Sequence, residues 1–201
     1  VQLGVDHSPG VGSQIEVTLG ATDKLTLAQV QKILAIGSTE NAFHFNGPGG
    51  ADATLSLSAN NSDFASLFSS SVSLNALHAA GISQIKSATG SLSLTLAQEV
   101  TLNKAGITFA AGDTVQIQLQ NKVGNTLDDV VKAAQDNALS SGVYVKAAGA
   151  ALTLNANQAD ALLAARVSFV NNDLVTLKLD EGNSNLAVLD SLAQLQTYAL
   201  G

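Results

Sequence analysis

The sequence predicts an α/β protein, β-rich with short helices, in which tandem β-β-α-β-β-α repeats stack into a solenoid-like array. The first observation behind this is internal repetition. Residues 92–119 are written again sixty positions later as 152–179, and nine of the twenty-eight pairs are identical: Leu92/Leu152, Leu94/Leu154, Gln98/Gln158, Leu102/Leu162, Ala105/Ala165, Phe109/Phe169, Asp113/Asp173, Val115/Val175 and Leu119/Leu179. These residues are mostly apolar and periodically spaced, so what recurs is a way of burying side chains. The second observation is composition: 46% hydrophobic but 4% aromatic, with no Cys, Met or Trp. A core of Leu, Val, Ile and Ala favours thin, regularly layered packing, and a unit of about sixty residues buries little alone, so stacked neighbours would share one core; the alternative is that pairs of units close into globular domains linked like beads.

In chain order, 1–12 reads as a glycine-rich connector whose Gln2-Leu3-Gly4-Val5-Asp6 resembles a helix tail stopped by glycine. The alternation of Ile15, Val17 and Leu19 gives a strand over 13–19. Leu25-Thr26-Leu27-Ala28-Gln29 opens an amphipathic helix with Leu27, Val30, Ile33 and Leu34 on one face and Gly37 as its stop. Short strands at 42–45 and 53–57 flank the turn Asn46-Gly47-Pro48-Gly49-Gly50. Phe64, Leu67 and Phe68 mark a short helix within 60–71, and another follows at 72–80. This is the first repeat, 13–81, the most divergent.

The second repeat, 82–141, reads as strands at 82–86 and 91–96, a helix at 97–105, strands at 107–109 and 114–120, and a helix at 126–138. The third, 142–201, reads as strands at 143–146 and 151–154, a helix at 156–165, strands at 167–169 and 174–179, and a helix at 186–198. Asn125-Thr126 and Asn185 supply N-caps for the second helix of each. Both ends of the sequence fall at one phase of the repeat, as expected of a segment of a longer array.

Composition also excludes function classes. A net charge of −7 and nine scattered basic residues provide no cluster to neutralise phosphates, which argues against nucleic acid as a partner. Zero cysteines exclude disulfides, thiolate metal sites and thiol catalysis. No apolar run approaches the ~18 residues of a membrane span.

The phrases Leu94-Thr95-Leu96-Ala97-Gln98, Ala105-Gly106-Ile107-Thr108-Phe109, Gly112-Asp113-Thr114-Val115-Gln116-Ile117 and Leu74-Asn75-Ala76-Leu77-His78-Ala79-Ala80-Gly81-Ile82 resemble modules found in tandem in very large secreted bacterial proteins. Those are the repetitive adhesins and RTX-like calcium-binding surface proteins. The resemblance covers most of 13–201 and implies an extracellular or cell-surface location with a structural or adhesive role in biofilm, surface-layer or filament assembly. The sequence departs from true calcium rolls: the glycine-aspartate nonapeptide is absent, and Gly49-Gly50-Ala51-Asp52-Ala53-Thr54-Leu55 is a fragment of it without a tandem partner.

Chemistry-bearing groups are sparse. His7, His44 and His78 are far apart and lack metal spacing. No nucleophile elbow, zincin helix or Walker loop occurs. Calcium is the one cofactor candidate, because it takes six to eight oxygens at short spacing. Its best local cluster is Asp180, Glu181, Asn183 and Asn185; Asn60, Asn61 and Asp63, and Asn171, Asn172 and Asp173, are weaker. For the recurrent Asp113 and Asp173, which precede strands, a turn or cap role is expected, with the carboxylate bonding its own backbone two residues on. Asp128 and Asp129 suit the first turn of a helix.

The function expected from these readings is a non-enzymatic structural repeat protein, or adhesin segment, whose partners are copies of itself. The alternative is a secreted module that binds glycan or another surface ligand, disfavoured by the scarcity of aromatic rings on which sugars stack.

Overall fold

A computed structural model describes residues 2–6, 14–36, 43–57, 60–69, 73–120, 122–149, 151–170 and 173–178. The protein is mixed α/β, with mainly parallel sheets and six α-helices among the described residues. The first repeat holds β2 (Gln14–Thr18), β3 (Leu25–Thr26), α1 (Leu27–Ile36), β4 (Phe43–Asn46), β5 (Ala53–Ser56), α2 (Asn60–Ser69) and α3 (Leu74–Ala79), with β1 (Gln2–Asp6) before it. The second holds β6 (Ile82–Lys86), β7 (Ser91–Leu94), α4 (Leu96–Lys104), β8 (Thr108–Phe109), β9 (Thr114–Gln118) and α5 (Leu127–Gln135). The third holds β10 (Val143–Lys146), β11 (Ala151–Leu154), α6 (Ala156–Ala164), β12 (Ser168–Phe169) and β13 (Leu174–Leu177). The helix expected at 186–198 lies outside the described residues.

Local chemistry explains where each strand gives way to its helix. The recurrent pentapeptide joins a strand end to the capping box that opens a helix, α1 from Leu27 and α4 from Leu96. Thr26 and Thr95 each donate their backbone N–H to the Gln29 and Gln98 side chains, at 2.8 and 2.9 Å, while their hydroxyls accept from the Gln29 and Gln98 N–H groups. Asn155 and Gln158 repeat the exchange in α6, and Thr126 with Asp129 repeats it in α5. Each box satisfies helix N-terminal donors that would otherwise lack partners. It also ends β7 at Leu94, two residues before the expected position, because Leu96 is already helical. Asn125 is thus not the cap: buried at 6% exposure, its Oδ1 accepts from the Leu96 N–H at 2.8 Å and its amide donates to the Gln118 carbonyl.

The segment expected to be a connector with a helix tail is a strand. Residues Gln2–Asp6 form an antiparallel ladder with Gln14–Thr18, Gly4 standing opposite Glu16. A ladder gives five residues backbone partners at once, whereas one helical turn leaves most of its terminal groups unpaired.

The sheets do not follow repeat boundaries. One sheet has the order β3-β5-β6-β8, so two strands of the first repeat continue into two of the second. The sheet β7-β9-β10-β12 does the same for the second and third repeats. Both are parallel in their registered pairs, and the helices between the paired strands provide the long crossovers that parallel pairing requires. Two further sheets are β1-β2-β4 and the pair β11-β13. Register repeats residue for residue: Val17, Ile85 and Val145 stand opposite Phe45, Phe109 and Phe169. The repeat read from the sequence is therefore a repeat of strand pairing.

The chain forms two compact units, neither of them continuous in sequence: 1–92 with 104–113, and 93–103 with 114–201. In the first, Val17, Val30, Phe45, Leu55, Leu67, Leu77, Ile82 and Ile85 are buried, and Phe64 meets Phe68 edge-on with ring centroids 5.1 Å apart. In the second, Ile117, Val130, Val143, Val145, Leu154, Leu162, Val167 and Phe169 belong to one aliphatic cluster. Every second residue of these strands is buried, Leu92 and Leu94 on β7, Val115 and Ile117 on β9, Val143 and Val145 on β10, so one face of each sheet supplies the apolar core.

Candidate functional site

Asp113 and Asp173 are the charged pair among the identical residues of the sixty-residue repeat, and their role differs from the local turn expected of them. The Asp113 carboxylate accepts the backbone N–H of Ser87 at 2.5 Å, and that of Asp173 accepts the N–H of Ala147 at 2.6 Å. Ser87 and Ala147 are themselves sixty residues apart, each just beyond β6 or β10. Each carboxylate thus ties the end of one strand to the turn that launches another, 26 residues later. Charge-assisted bonds of this kind are about twice as strong as neutral ones. The spacing of Asp113 from Ser87 is not a local motif, so only the sixty-residue recurrence of both partners could have signalled the pair.

Glu99 is the second departure. It is fully buried on α4, at the position filled by buried Val30 in α1 and buried Ala159 in α6. Its Oε1 accepts the Ser140 N–H at 2.8 Å, while Oε2 and the Ser140 hydroxyl are buried without hydrogen-bond partners among the described residues. Burial pushes its carboxyl above the usual glutamate range, against the opposing pull of Ser140. By contrast, the Thr126 backbone N–H holds the Asp129 carboxyl below its usual value.

The calcium candidates Asp180, Glu181, Asn183 and Asn185 lie outside the described residues, as do Asn171, Asn172 and His7. Asp63 sits in the first turn of α2. His44 and His78 are not brought together as ligands; each packs beside a glycine in the left-handed region. A methyl group at Gly81, φ +82°, would stand 2.9 Å from the His44 ring and 2.5 Å from the Phe45 carbonyl oxygen, and one at Gly106, φ +72°, would stand 3.0 Å from the His78 ring. Among the described residues no group of three or more His, Asp or Glu side chains could hold a metal ion, and no helix is long and apolar enough to cross a membrane.

β5 lies between β3 and β6, and β9 between β7 and β10, but β13 pairs with β11 alone among the described residues. No family model, curated protein or solved structure matches this chain. On β13, Val175 and Leu177 are half-buried and Leu174 is 65% exposed, whereas Val115 and Ile117, the counterparts of Val175 and Leu177 on β9, are 3% and 0% exposed. An apolar strand with one unpaired edge is a template for another strand. The chemistry available to it is main-chain hydrogen bonding with burial of aliphatic side chains.

Proposed function

We propose that this chain is a structural repeat segment of an extracellular bacterial surface protein, assembling with copies of itself in a surface layer, filament or biofilm matrix, its repeats stacked as a solenoid-like array with a shared aliphatic core. The observation that carries this proposal is the sharing of sheets across repeat boundaries: both four-stranded sheets draw two strands from each of two successive repeats. A module organised in this way completes its sheets only with a neighbour, which is the economy of a repeat polymer. Low charge, the absence of Cys, Met and Trp, and the resemblance to tandem surface modules point the same way. The repeated carboxylates Asp113 and Asp173 accept backbone N–H groups from the ends of other strands, a structural role that suits a repeat array.

Sedimentation velocity across a wide concentration range, paired with electron microscopy of the purified chain, tests the proposal. Species growing with concentration, and filaments or lattices on the grid, are expected. A strictly monomeric chain at the highest concentration would remove the support for self-assembly.

A further inference from the structure

The two complete sheets specify what an edge like that of β13 takes. On the open side of β5 stands β6, parallel, with Thr54 opposite Gln84 and Leu55 opposite Ile85. On β9 stands β10, parallel, with Gln116 opposite Tyr144 and Ile117 opposite Val145. In both cases the incoming strand is the first of the following repeat, and it brings its own parallel neighbour, β8 or β12. The corresponding strand of the first repeat is β2, whose neighbour is β4 in the same parallel arrangement. On the side of β2 where β6 has β5 and β10 has β9, the protein places β1, which runs antiparallel. The start of the described chain thus carries a stand-in for a strand of the β5, β9 and β13 type, and β13 carries an edge without its partner among the described residues.

Backbone direction agrees. The Lys178 N–H donates to the Leu154 carbonyl on β11 at 2.7 Å. Because alternate residues of a strand address opposite sides, the Leu177 and Val175 N–H groups are turned to the other edge. On β9 this is the side from which the Leu119 N–H reaches the Lys146 carbonyl at 3.0 Å.

We propose that the edge of β13 takes β2 of a second copy, displacing that copy's β1, in the parallel register that sets Thr176 opposite Glu16 and Leu177 opposite Val17. The product is a four-stranded sheet β11-β13-β2-β4 formed across two molecules, with the order and direction of β7-β9-β10-β12. Contact of this kind is heterologous, head to tail, and extends into a filament wherever its rotation does not close. The inference rests on the self-association reading and adds to it the strands, direction and register.

Because the chain has no cysteine, full-length Thr176→Cys and Glu16→Cys proteins can be prepared separately, mixed and oxidised. Both positions lie on the accessible side of their strands. A covalent heterodimer is expected at ten or more times the yield from Thr176→Cys mixed with Gln84→Cys, since Gln84 occupies the same place on β6 but is flanked by β5 and β8. Adding Leu177→Pro to the Thr176→Cys chain removes a donor from the open edge and spares the β11 ladder, so it is expected to suppress the cross-link to the control yield. Concentration-dependent association without the Thr176–Glu16 cross-link, or a cross-link indifferent to Leu177→Pro, overturns the strand exchange while leaving self-assembly standing. Absence of association by sedimentation overturns both.

Discussion

Helices α4 and α6 occupy the same place in successive repeats, start with the same type of capping box, and differ at the centre of the buried face. One buries Glu99 where the other buries Ala159. The difference extends to the turn after each helix, where Gly106 at φ +72° is matched by Arg166 at φ +55°. It extends again to the following strand, where Phe109 is half-exposed and Phe169 is 2% exposed, although each stands in register with the middle of its neighbour strand. Caps, register and backbone conformation are thus held in common while the side chains that fill the space are not. The repeat is a constraint on main-chain pairing, and each copy meets it at a different energetic cost.

Truncating the two phenylalanines tests that difference most strongly. Phe169→Ala is expected to cost about 3–5 kcal/mol, the usual range for a fully buried ring. Phe109→Ala is expected to cost clearly less because its ring already meets solvent. Denaturant unfolding of the two variants checks this, and equal losses would mean that the two phenylalanines sit in equally packed surroundings.

Next in size is the buried carboxyl. Glu99→Gln keeps an acceptor for the Ser140 N–H but cannot ionise, so at pH 7 it should stabilise the protein by roughly 1–3 kcal/mol, the scale of an unsatisfied buried group. The sign follows from the raised value in the folded state. Stability contributed by the protonated carboxyl is complete below the unfolded glutamate value near ~4.3 and is lost as pH rises through the higher folded value. The wild type should therefore weaken over that interval while the variant stays flat. Thermal melts between acid and neutral pH would show two parallel curves if Glu99 were not the cause.

The smallest effect belongs to the turns. Arg166→Gly should gain about 1 kcal/mol by relieving a left-handed arginine. Gly106→Ala should lose at least that much, since it combines a positive φ with a methyl group 3.0 Å from the His78 ring. Opposite shifts in unfolding midpoint are expected, and shifts of one sign would show that the two turns are not equivalent.

Much of this was legible in one dimension. The sixty-residue recurrence and the alternation of apolar residues give the described elements of the second and third repeats to within about three residues of their observed limits, because strand and helix periods are written locally in apolar spacing. The capping boxes are written locally too, as Thr-x-x-Gln before α1 and α4, Thr-x-x-Asp before α5 and Asn-x-x-Gln before α6, yet the apolar residues around them read as continuous strand or helix. What escaped was every feature whose partner lies a crossover away. Asp113 gives no local sign that it will bond Ser87, and Glu99 sits in a helix whose other polar residues face water. Gln2–Asp6 looks like a helix end until β2 is set beside it. The candidate calcium residues, Asp180, Glu181, Asn183 and Asn185, lie outside the described residues.

By itself, then, the sequence determined the repeat, its α/β alternation and its aliphatic interior, since each follows from side-chain spacing over a few residues. Only the tertiary structure decided that sheets join the second and fourth strands of one repeat to the first and third of the next, that two aspartates lock strand ends together, and that β13 stands at an edge among the described residues. The reason is that parallel strands meet only after a crossover. Pairing, register and the partners of buried polar groups are therefore properties of which strands become neighbours, and no stretch of the chain carries that information alone.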